Sequence, residues 1–304
     1  MRDSPYRTLI DGPTWAFIDR THAAYPADAT GLDSAGQRRV YDAMCDVFRQ
    51  PRPPGVTVVD EMLGGVPTRR YEVGPSSATV VYFHGGGFVV GGLDSHDDVC
   101  AEVCAATGRR VVSVDYRLAP EHPHPAAYDD ALSATRAVMA HGPVILAGDS
   151  AGGTLAASVA HALRGGAVLG QVLIYPGLGG PMDAGSYVTH TKAPMLSTAD
   201  VRLYRRLRHG RDDPAPDPTA AALHDTDFTN LPPTAIFAAE CDPLCDDATL
   251  YRDLIRAAGG RAEATVEPGL VHGYLRARHS VPRAADSFAR ITAALAAMVP
   301  GATP

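Results

Sequence analysis

Short, continuously apolar runs recur along the chain, and an amphipathic or alanine-rich stretch separates most of them from the next run. A bounded apolar run of about four to eight residues is typical of a strand buried on both faces. The predicted strands are, in chain order, residues 80–83, 110–115, 144–147, 171–175, 233–239 and 262–267. The predicted helices are residues 95–107, 128–140, 151–164, 247–258 and 281–298. This order predicts a mostly parallel sheet with helices on both faces and with ligand sites at the carboxyl ends of its strands.

The N-terminal region has a different pattern, because its apolar residues recur at helical spacing without an intervening strand. Residues 13–24 and 34–50 are predicted to form two amphipathic helices. Phe17, Met44 and Phe48 lie on the apolar faces of these helices.

Proline and glycine mark the remaining boundaries. Residues 51–55 cannot continue a helix, and the alternating segments after them, 56–62 and 69–73, predict an antiparallel hairpin at the sheet edge. Residues 176–228 interrupt the alternation of strands and helices, with one predicted helix at 197–208. We therefore predict a helical cap formed by residues 1–50 and 178–226, and a main domain formed by residues 51–177 and 227–304.

Composition narrows the classes of function. The 304 residues are 45% hydrophobic and 20% charged, which is typical of one globular domain with an accessory segment. The formal net charge is -7, and the basic residues cluster only at Arg202, Arg205, Arg206 and Arg208. On one short helix, a solvated face is the ordinary explanation for such a cluster. We therefore expect neither nucleic acid nor an anionic membrane surface as a partner.

No motif indicates export, a membrane anchor or a cofactor. The five cysteines lack metal-binding spacing and are expected to be reduced. Residues 1–5 are not followed by the apolar core of a signal peptide, and no apolar run approaches the length of a membrane span. We expect a cytoplasmic protein with no membrane insertion and no metal or organic cofactor.

The sequence GDSAGG at residues 148–153 joins a predicted strand directly to a predicted helix. This spacing at such a junction is typical of a nucleophile elbow, which exposes its serine at the carboxyl end of the sheet. Gly148 and Gly152 allow the strand and the helix to pack closely. Asp149 is expected to lie in the first turn of the helix, where it favours the helix dipole but cannot orient a base. Ser150 is the predicted nucleophile.

Three consecutive glycines follow another predicted strand, in the sequence HGGGF at residues 84–88. Their backbone N–H groups, together with the N–H of Ala151, are suited to form an oxyanion hole. Gly85, Gly86 and Gly87 are therefore candidate donors, and the choice of two among the three stays open.

A serine nucleophile needs a base, and the base needs an acid that orients it. His272 follows the last predicted strand and precedes a glycine, and Asp242 follows the strand before that one. Asp246 and Asp247 stand at the start of a predicted helix, where a carboxylate has an ordinary capping role. The order Ser150, Asp242, His272 is the one found in α/β-hydrolases.

Five segments of the chain together resemble the hormone-sensitive lipase family of bacterial carboxylesterases. They are residues 84–88, 115–123, 148–153, 242–244 and 272–273. The resemblance implies an eight-stranded α/β-hydrolase fold with a cap made of N-terminal helices and an insertion after the sixth strand. It also implies hydrolysis of a small-molecule ester by the triad, and a possible homodimer paired through the edge of the last strand. Tyr274 stands where family members commonly have phenylalanine, which affects only the expected local packing.

The predicted substrate pocket consists of Phe17, Met44, Phe48 and Phe88, and is expected to accept acyl chains of up to about eight carbons. Residues 115–123 are expected to tie down the glycine loop through hydrogen bonds. Two alternatives to ester hydrolysis stay open. The same triad could act on amides or lactones or transfer an acyl group to an alcohol, and the fold could serve as a non-catalytic small-molecule receptor, although such a receptor is expected to lack His272.

Overall fold

The computed structural model describes residues 5–26, 32–212 and 214–298. Within them, one eight-stranded sheet has the strand order β1-β2-β4-β3-β5-β6-β7-β8. The strands are Thr57–Leu63 (β1), Val66–Glu72 (β2), Thr79–Phe83 (β3), Arg110–Val114 (β4), Val144–Asp149 (β5), Val168–Ile174 (β6), Thr234–Cys241 (β7) and Ala262–Val271 (β8). Strand β2 is antiparallel to β1 and β4, and the other neighbours are parallel. The predicted parallel sheet with an edge hairpin is confirmed.

Nine α-helices are present in the part of the chain that the structure describes. They are Gly12–Ala23 (α1), Ser34–Phe48 (α2), Asp97–Thr107 (α3), Ala126–Met139 (α4), Ala151–Ala162 (α5), Gly185–Thr189 (α6), Thr198–His209 (α7), Cys245–Ala257 (α8) and Pro282–Ala297 (α9). Helix α6 was not predicted, because five residues are too few to show helical periodicity. None of the described helices is long and apolar enough to cross a membrane.

Two hydrophobic cores lie on the two faces of the sheet, because successive residues of a strand point to opposite faces. In β3, Val80 packs into one core and Val81 into the other. Helices α3 and α9 contribute to the first core, and α4, α5 and α8 contribute to the second. Helices α1 and α2 extend the first core, so the N-terminal segment is packed onto the main domain rather than separate from it.

The connection from β6 to β7 contains α6 and α7, and two carboxylates at the start of α8 hold it in place. Asp246 accepts the N–H of Ser186 at 2.8 Å, and Asp247 accepts the N–H of Leu178 at 2.7 Å. The division of the chain into cap and catalytic domain stays a prediction. Residues 1–4, 27–31 and 213 of the predicted cap lie outside the described residues.

Candidate active site

Ser150 occupies the turn between β5, which ends at Asp149, and α5, which begins at Ala151. Its φ of 54° lies in the left-handed region, which a residue with a side chain rarely adopts. A Cβ at Gly152 would overlap the carbonyl oxygen of Phe83 on the neighbouring strand β3. Glycine at this position therefore lets the helix start close to the sheet, and the strained turn presents the serine at the sheet's carboxyl end.

A chain of hydrogen bonds connects Ser150, His272 and Asp242. The Ser150 Oγ and His272 Nε2 atoms are 2.8 Å apart, and His272 Nδ1 lies 2.6 Å from Asp242 Oδ2. A carboxylate can only accept, so Nδ1 carries the proton and Nε2 is left to accept from the serine hydroxyl. The second oxygen of Asp242 accepts the N–H of Leu244 at 2.9 Å. The acid is thus fixed in orientation by its own loop.

The pairing of the last two strands brings the acid and the base together. Strand β7 is parallel to β8, and their register aligns Cys241 with Val271 after an irregularity in β7. One residue further along each strand lie Asp242 and His272. Both strands are longer than predicted, since β7 extends to Cys241 and β8 continues past Pro268 to Val271.

The prediction that Gly85 donates to an oxyanion is wrong, because its N–H already donates to Asp149 Oδ1 at 3.0 Å. Asp149 ends strand β5 instead of beginning the helix, and it also accepts the hydroxyl of Tyr82 at 2.9 Å. Burial raises the pKa of Asp149, but His96, Arg276 and Tyr82 lower it more, which leaves it below its ordinary value. The ionised carboxylate therefore holds the start of the glycine loop against β5.

Gly86, Gly87 and Ala151 remain the candidate oxyanion donors. The carbonyl of Gly86 accepts the N–H groups of Val89 and Val90 at 3.1 and 3.0 Å, which curls the loop back on itself. Gly86 and Gly87 have φ values of 132° and 61°, conformations in which glycine is strongly favoured. Ala151 is the first residue of α5, and an N–H at that position has no acceptor within its own helix.

Residues 115–123 make the hydrogen bonds to the glycine loop that the sequence predicts. The hydroxyl of Tyr116 donates to the carbonyl of His84 at 2.6 Å, and the two rings stack with centroids 4.2 Å apart. The N–H of Ala119 donates to the carbonyl of Phe88 at 2.8 Å. Burial lowers the pKa of His84 to about 3, so this histidine is a neutral structural residue.

Helix α7 packs directly on the glycine loop. A Cβ on Gly87 would lie 2.5 Å from the ring of Tyr204. The guanidinium of Arg208 lies 3.6 Å from the centroid of the Phe88 ring and donates to the carbonyl of Ala220 at 2.7 Å. The inserted segment therefore contacts the loop that is expected to bind the oxyanion.

The expectation that the arginines of this helix form a solvated face is wrong for Arg208. Arg202 and Arg206 are exposed, Arg205 is half-buried, and Arg208 is only 6% exposed. Sequence spacing gave no means of separating them, because which face of the helix is buried depends on the tertiary position of the insertion.

A cavity of about 650 Å³ opens at Ser150 and His272. Met44 and Phe88 line it, as predicted. Phe17 and Phe48 do not line it: both are at least 95% buried, and their rings pack edge to face with centroids 5.2 Å apart. An apolar helical face marks core residues as readily as pocket residues, so the pattern alone could not distinguish the two.

Several cavity residues were missed by sequence reasoning. They are polar or aromatic side chains from three separate segments, namely Tyr25, Tyr41, Tyr204, Arg208 and Arg276. Tyr41 stands three residues before Met44, so helical spacing could have indicated it. The other four depend on how the segments fold over the site, for which the sequence has no local signal.

Known proteins of similar sequence and fold indicate the family to which the chain belongs. A family model described as an alpha/beta hydrolase fold matches residues 80–276. Esterase LipI of Mycobacterium tuberculosis is 38% identical over 89% of this chain and 90% of its own length. A crystal structure of an esterase described as from the bacterial hormone-sensitive lipase family superimposes with a TM-score of 0.85. The chain belongs to this family.

That family member is 28% identical, and the match covers 95% of this chain and 98% of the other. A further relative is named ethyl acetate hydrolase, from Pseudomonas putida. It is 31% identical over 72% of this chain and 73% of its own length. Tyr274, the departure from the family pattern, is fully buried, and its hydroxyl lies 2.8 Å from Ser287 Oγ. The additional polar atom is therefore hydrogen-bonded.

Proposed function

We propose that this chain is a carboxylesterase that hydrolyses short- to medium-chain carboxylic esters through an acyl-enzyme on Ser150. The observation that carries this proposal is the continuous hydrogen-bonded path from Ser150 Oγ through His272 to the buried carboxylate of Asp242. A hydroxyl that faces an acceptor nitrogen oriented in this way can be deprotonated as it attacks a carbonyl.

In the first half of the reaction, Ser150 Oγ attacks the ester carbonyl carbon while His272 Nε2 takes the hydroxyl proton. Asp242 stabilises the imidazolium that forms, because it accepts from Nδ1. The carbonyl oxygen becomes an oxyanion, and two or three N–H groups among Gly86, Gly87 and Ala151 donate to it. The bond to the alcohol oxygen then breaks, and His272 returns the proton to the leaving alcohol.

In the second half, His272 takes a proton from a water molecule, whose oxygen attacks the acyl carbon. The same N–H groups stabilise the second oxyanion. The bond to Ser150 Oγ breaks, His272 returns the proton to the serine, and the carboxylic acid leaves.

The size of the cavity supports a preference for short to medium acyl chains. Its volume of about 650 Å³ lies within the range of pockets that enclose a small ligand, and helices α2 and α7 form part of its wall. A relative whose name refers to hydrolysis of ethyl acetate supports the same substrate class.

A Ser150→Ala variant tests the mechanism. We expect turnover of p-nitrophenyl acetate and butyrate to fall by at least about 10³-fold, because the covalent step is lost. The variant should keep its circular dichroism spectrum, since the side chain is only partly buried and lines the cavity instead of packing in a core. Retained turnover, with the fold intact, would exclude the covalent mechanism. Amide and lactone substrates assayed on the wild type would show whether another acyl transfer is the main reaction.

A series of p-nitrophenyl esters from acetate to palmitate tests the substrate class. We expect kcat/KM to fall for acyl chains beyond about eight carbons. A jump in activity on emulsified long-chain triglyceride would contradict this preference, because it would show that the helices over the site open at a lipid surface.

We also propose that the enzyme is cytoplasmic and forms a homodimer. Five buried cysteines without disulfides support a reducing compartment. Strand β8 lies at an edge of the sheet, where a second copy could add its own strand. Cell fractionation and light scattering of the purified protein test the two statements, and a monomer across the micromolar range would contradict the second.

A further inference from the structure

Two arginines at the wall of the cavity, the buried Arg208 and the partly buried Arg276, have no carboxylate partner in the described part of the chain. Among the described residues, the buried guanidinium nitrogens that have no hydrogen-bond partner are Nε of Arg208 and Nε of Arg276. Both residues line the cavity that opens at Ser150. A buried charge is costly unless it is paired, so these two positions call for an explanation.

Other buried arginines of the same chain do have an explanation. Arg278, two residues beyond Arg276, pairs with Asp98 and Glu102. Arg109 donates to three carbonyls at the end of α9, which is a favourable place for a cation. Arg278 thus has carboxylate partners, and Arg109 has carbonyl acceptors at a helix end.

Arg208 has a structural role that accounts for most of its donors. It stacks on the Phe88 ring, one terminal nitrogen donates to the carbonyl of Ala220, and the other lies 3.4 Å from His124 Nδ1. These contacts attach α7 to the glycine loop, and they engage both terminal nitrogens.

Arg276 has spare donors. One terminal nitrogen donates to the hydroxyl of Tyr41 at 2.5 Å, and within the described residues no ion pair is formed with a carboxylate. Burial lowers the pKa of Arg276, but Cys45, Tyr41 and Asp149 raise it more, so the guanidinium stays charged. Asp149 does not form an ion pair with it, because its oxygens face Gly85, Tyr82 and His96.

The position of Arg276 connects this charge to the reaction. It lies in the short 3-10 helix Tyr274–Ala277, which begins two residues after His272. The same turn of chain therefore carries the general base and an unpaired guanidinium into one cavity. A planar guanidinium matches a carboxylate with two parallel hydrogen bonds, and one such group balances a single negative charge.

We infer that the preferred ester substrates of this enzyme carry a carboxylate, which pairs with the guanidinium of Arg276 at the cavity wall. The inference rests on the proposed esterase function. The carboxylate can belong to the acyl half, as in a monoester of a dicarboxylic acid, or to the alcohol half, as in an acylated hydroxy acid. The overall charge of -7 disfavours anions at most of the surface, so this local positive charge acts as a specificity element.

Two matched pairs of esters test the inference. For the acyl half, monoethyl glutarate is compared with ethyl 4-carbamoylbutanoate, in which a neutral amide replaces the carboxylate. For the alcohol half, 4-acetoxybutanoate is compared with 4-acetoxybutanamide. We expect the carboxylate member of at least one pair to have the higher kcat/KM, by about tenfold or more, because a hydrogen bond between charged groups is formed away from solvent. Equal or lower kcat/KM for the carboxylate in both pairs would overturn the inference.

Arg276→Met keeps much of the side-chain volume and removes the charge. The carboxylate-to-amide ratio of kcat/KM should fall by about 10- to 100-fold, mainly through KM. A general loss of activity divides out of this ratio. Arg276→Lys should restore part of the ratio, since it keeps the charge but not the planar fork. A ratio that Arg276→Met leaves unchanged would assign Arg276 to holding Tyr41, against the inference.

The control is Arg206→Met, which removes an exposed arginine of α7 that pairs with Asp212 and should leave the ratio as in the wild type.

If Arg276→Met does not fold, inhibition of the wild-type enzyme tests the inference instead. Glutarate should inhibit hydrolysis of p-nitrophenyl acetate competitively and more strongly than glutaramide, and equal inhibition would reject the inference. Failure to hydrolyse any ester, including p-nitrophenyl acetate, would instead reject the proposed function.

Discussion

Four carboxyl groups lie within eight residues at the end of β7, and each has a different partner. Glu240 accepts the N–H of Gly269 at 2.7 Å, which ties β7 to β8. Asp246 and Asp247 hold the inserted segment, as described above. Asp242 alone among these four hydrogen-bonds to His272. Similar carboxyl side chains in one short stretch therefore have different roles, because the backbone directs each of them to a different partner.

An Asp242→Asn variant should lower kcat on the order of 10⁴-fold. The amide can donate to His272 Nδ1, which favours the tautomer whose Nε2 carries a proton and cannot accept from Ser150. Steady-state kinetics on p-nitrophenyl butyrate measure the effect. Asp246→Asn is the matched control and should stay within about tenfold of the wild type. Activity retained in Asp242→Asn and lost in Asp246→Asn would show that the acid is misassigned.

The triad residues could be predicted from the sequence because each follows a strand that the apolar pattern detects. The hydrogen bond that removes Gly85 from the oxyanion hole could not, since it joins side chain and backbone across 64 positions of sequence. The same limit applies to Phe17 and Phe48, whose place in a core depends on how α1 meets α2.

Among the secondary-structure elements outside the sheet, α7 contacts the glycine loop directly. Tyr204 lies over Gly87, and Arg208 lies over Phe88, so one helix face fixes two consecutive residues of the glycine loop. Helix α2 approaches the same loop, where Arg38 donates to the carbonyl of Val89 at 2.9 Å. The candidate oxyanion donors thus take their position partly from segments outside the sheet.

A Tyr204→Ala variant should reduce kcat by about 10- to 100-fold, because removal of the ring allows the glycine loop to shift, and a displacement near 1 Å can have an effect of that size. Tyr204→Phe keeps the ring and should remain close to the wild type. Leu203→Ala provides a control on an exposed neighbour of the same helix. Equal kcat for Tyr204→Ala and Leu203→Ala would mean that the loop keeps its position without the helix.

For the molecule as a whole, buried neutral histidines make stability depend on pH. Burial lowers the pKa of His84 to about 3, and burial together with Arg208 and His124 lowers that of His209 to about 4. In the unfolded chain both histidines bind protons below about pH 6.5. Unfolding therefore takes up protons between about pH 6.5 and these lower values, and the free energy of unfolding falls as the pH falls.

Asp247 acts in the opposite direction over a narrower range. Burial raises its pKa to about 6, so the folded protein binds this proton before the unfolded chain does, and stability rises as the pH falls from about 6 to about 4. Burial lowers the pKa of more histidines than the number of acids whose pKa it leaves raised. These histidines are His84, His124, His161, His190, His209 and His224.

We therefore expect the urea midpoint of unfolding to be lower at pH 5 than at pH 7. In a His84→Asn variant the free energy of unfolding should fall less over the same pH range, by about 1.4 kcal/mol for each pH unit below 6.5, because this fully buried group no longer titrates. Chemical denaturation followed by fluorescence at pH 7, 6 and 5 measures both. A midpoint that is unchanged or higher at pH 5 would contradict the assignment of these histidines as neutral.

Nucleophile, base and acid all follow strand ends of one sheet, whereas much of the cavity wall comes from three other segments, namely α2, α7 and the turn that carries Arg276. Different parts of the chain therefore determine the catalytic chemistry and the substrate selectivity. Mutations in α2, in α7 or in the turn that carries Arg276 can change which ester fits without altering the register that aligns Asp242 with His272. Natural divergence and directed evolution can therefore change the substrate while the sheet keeps the catalytic residues in place.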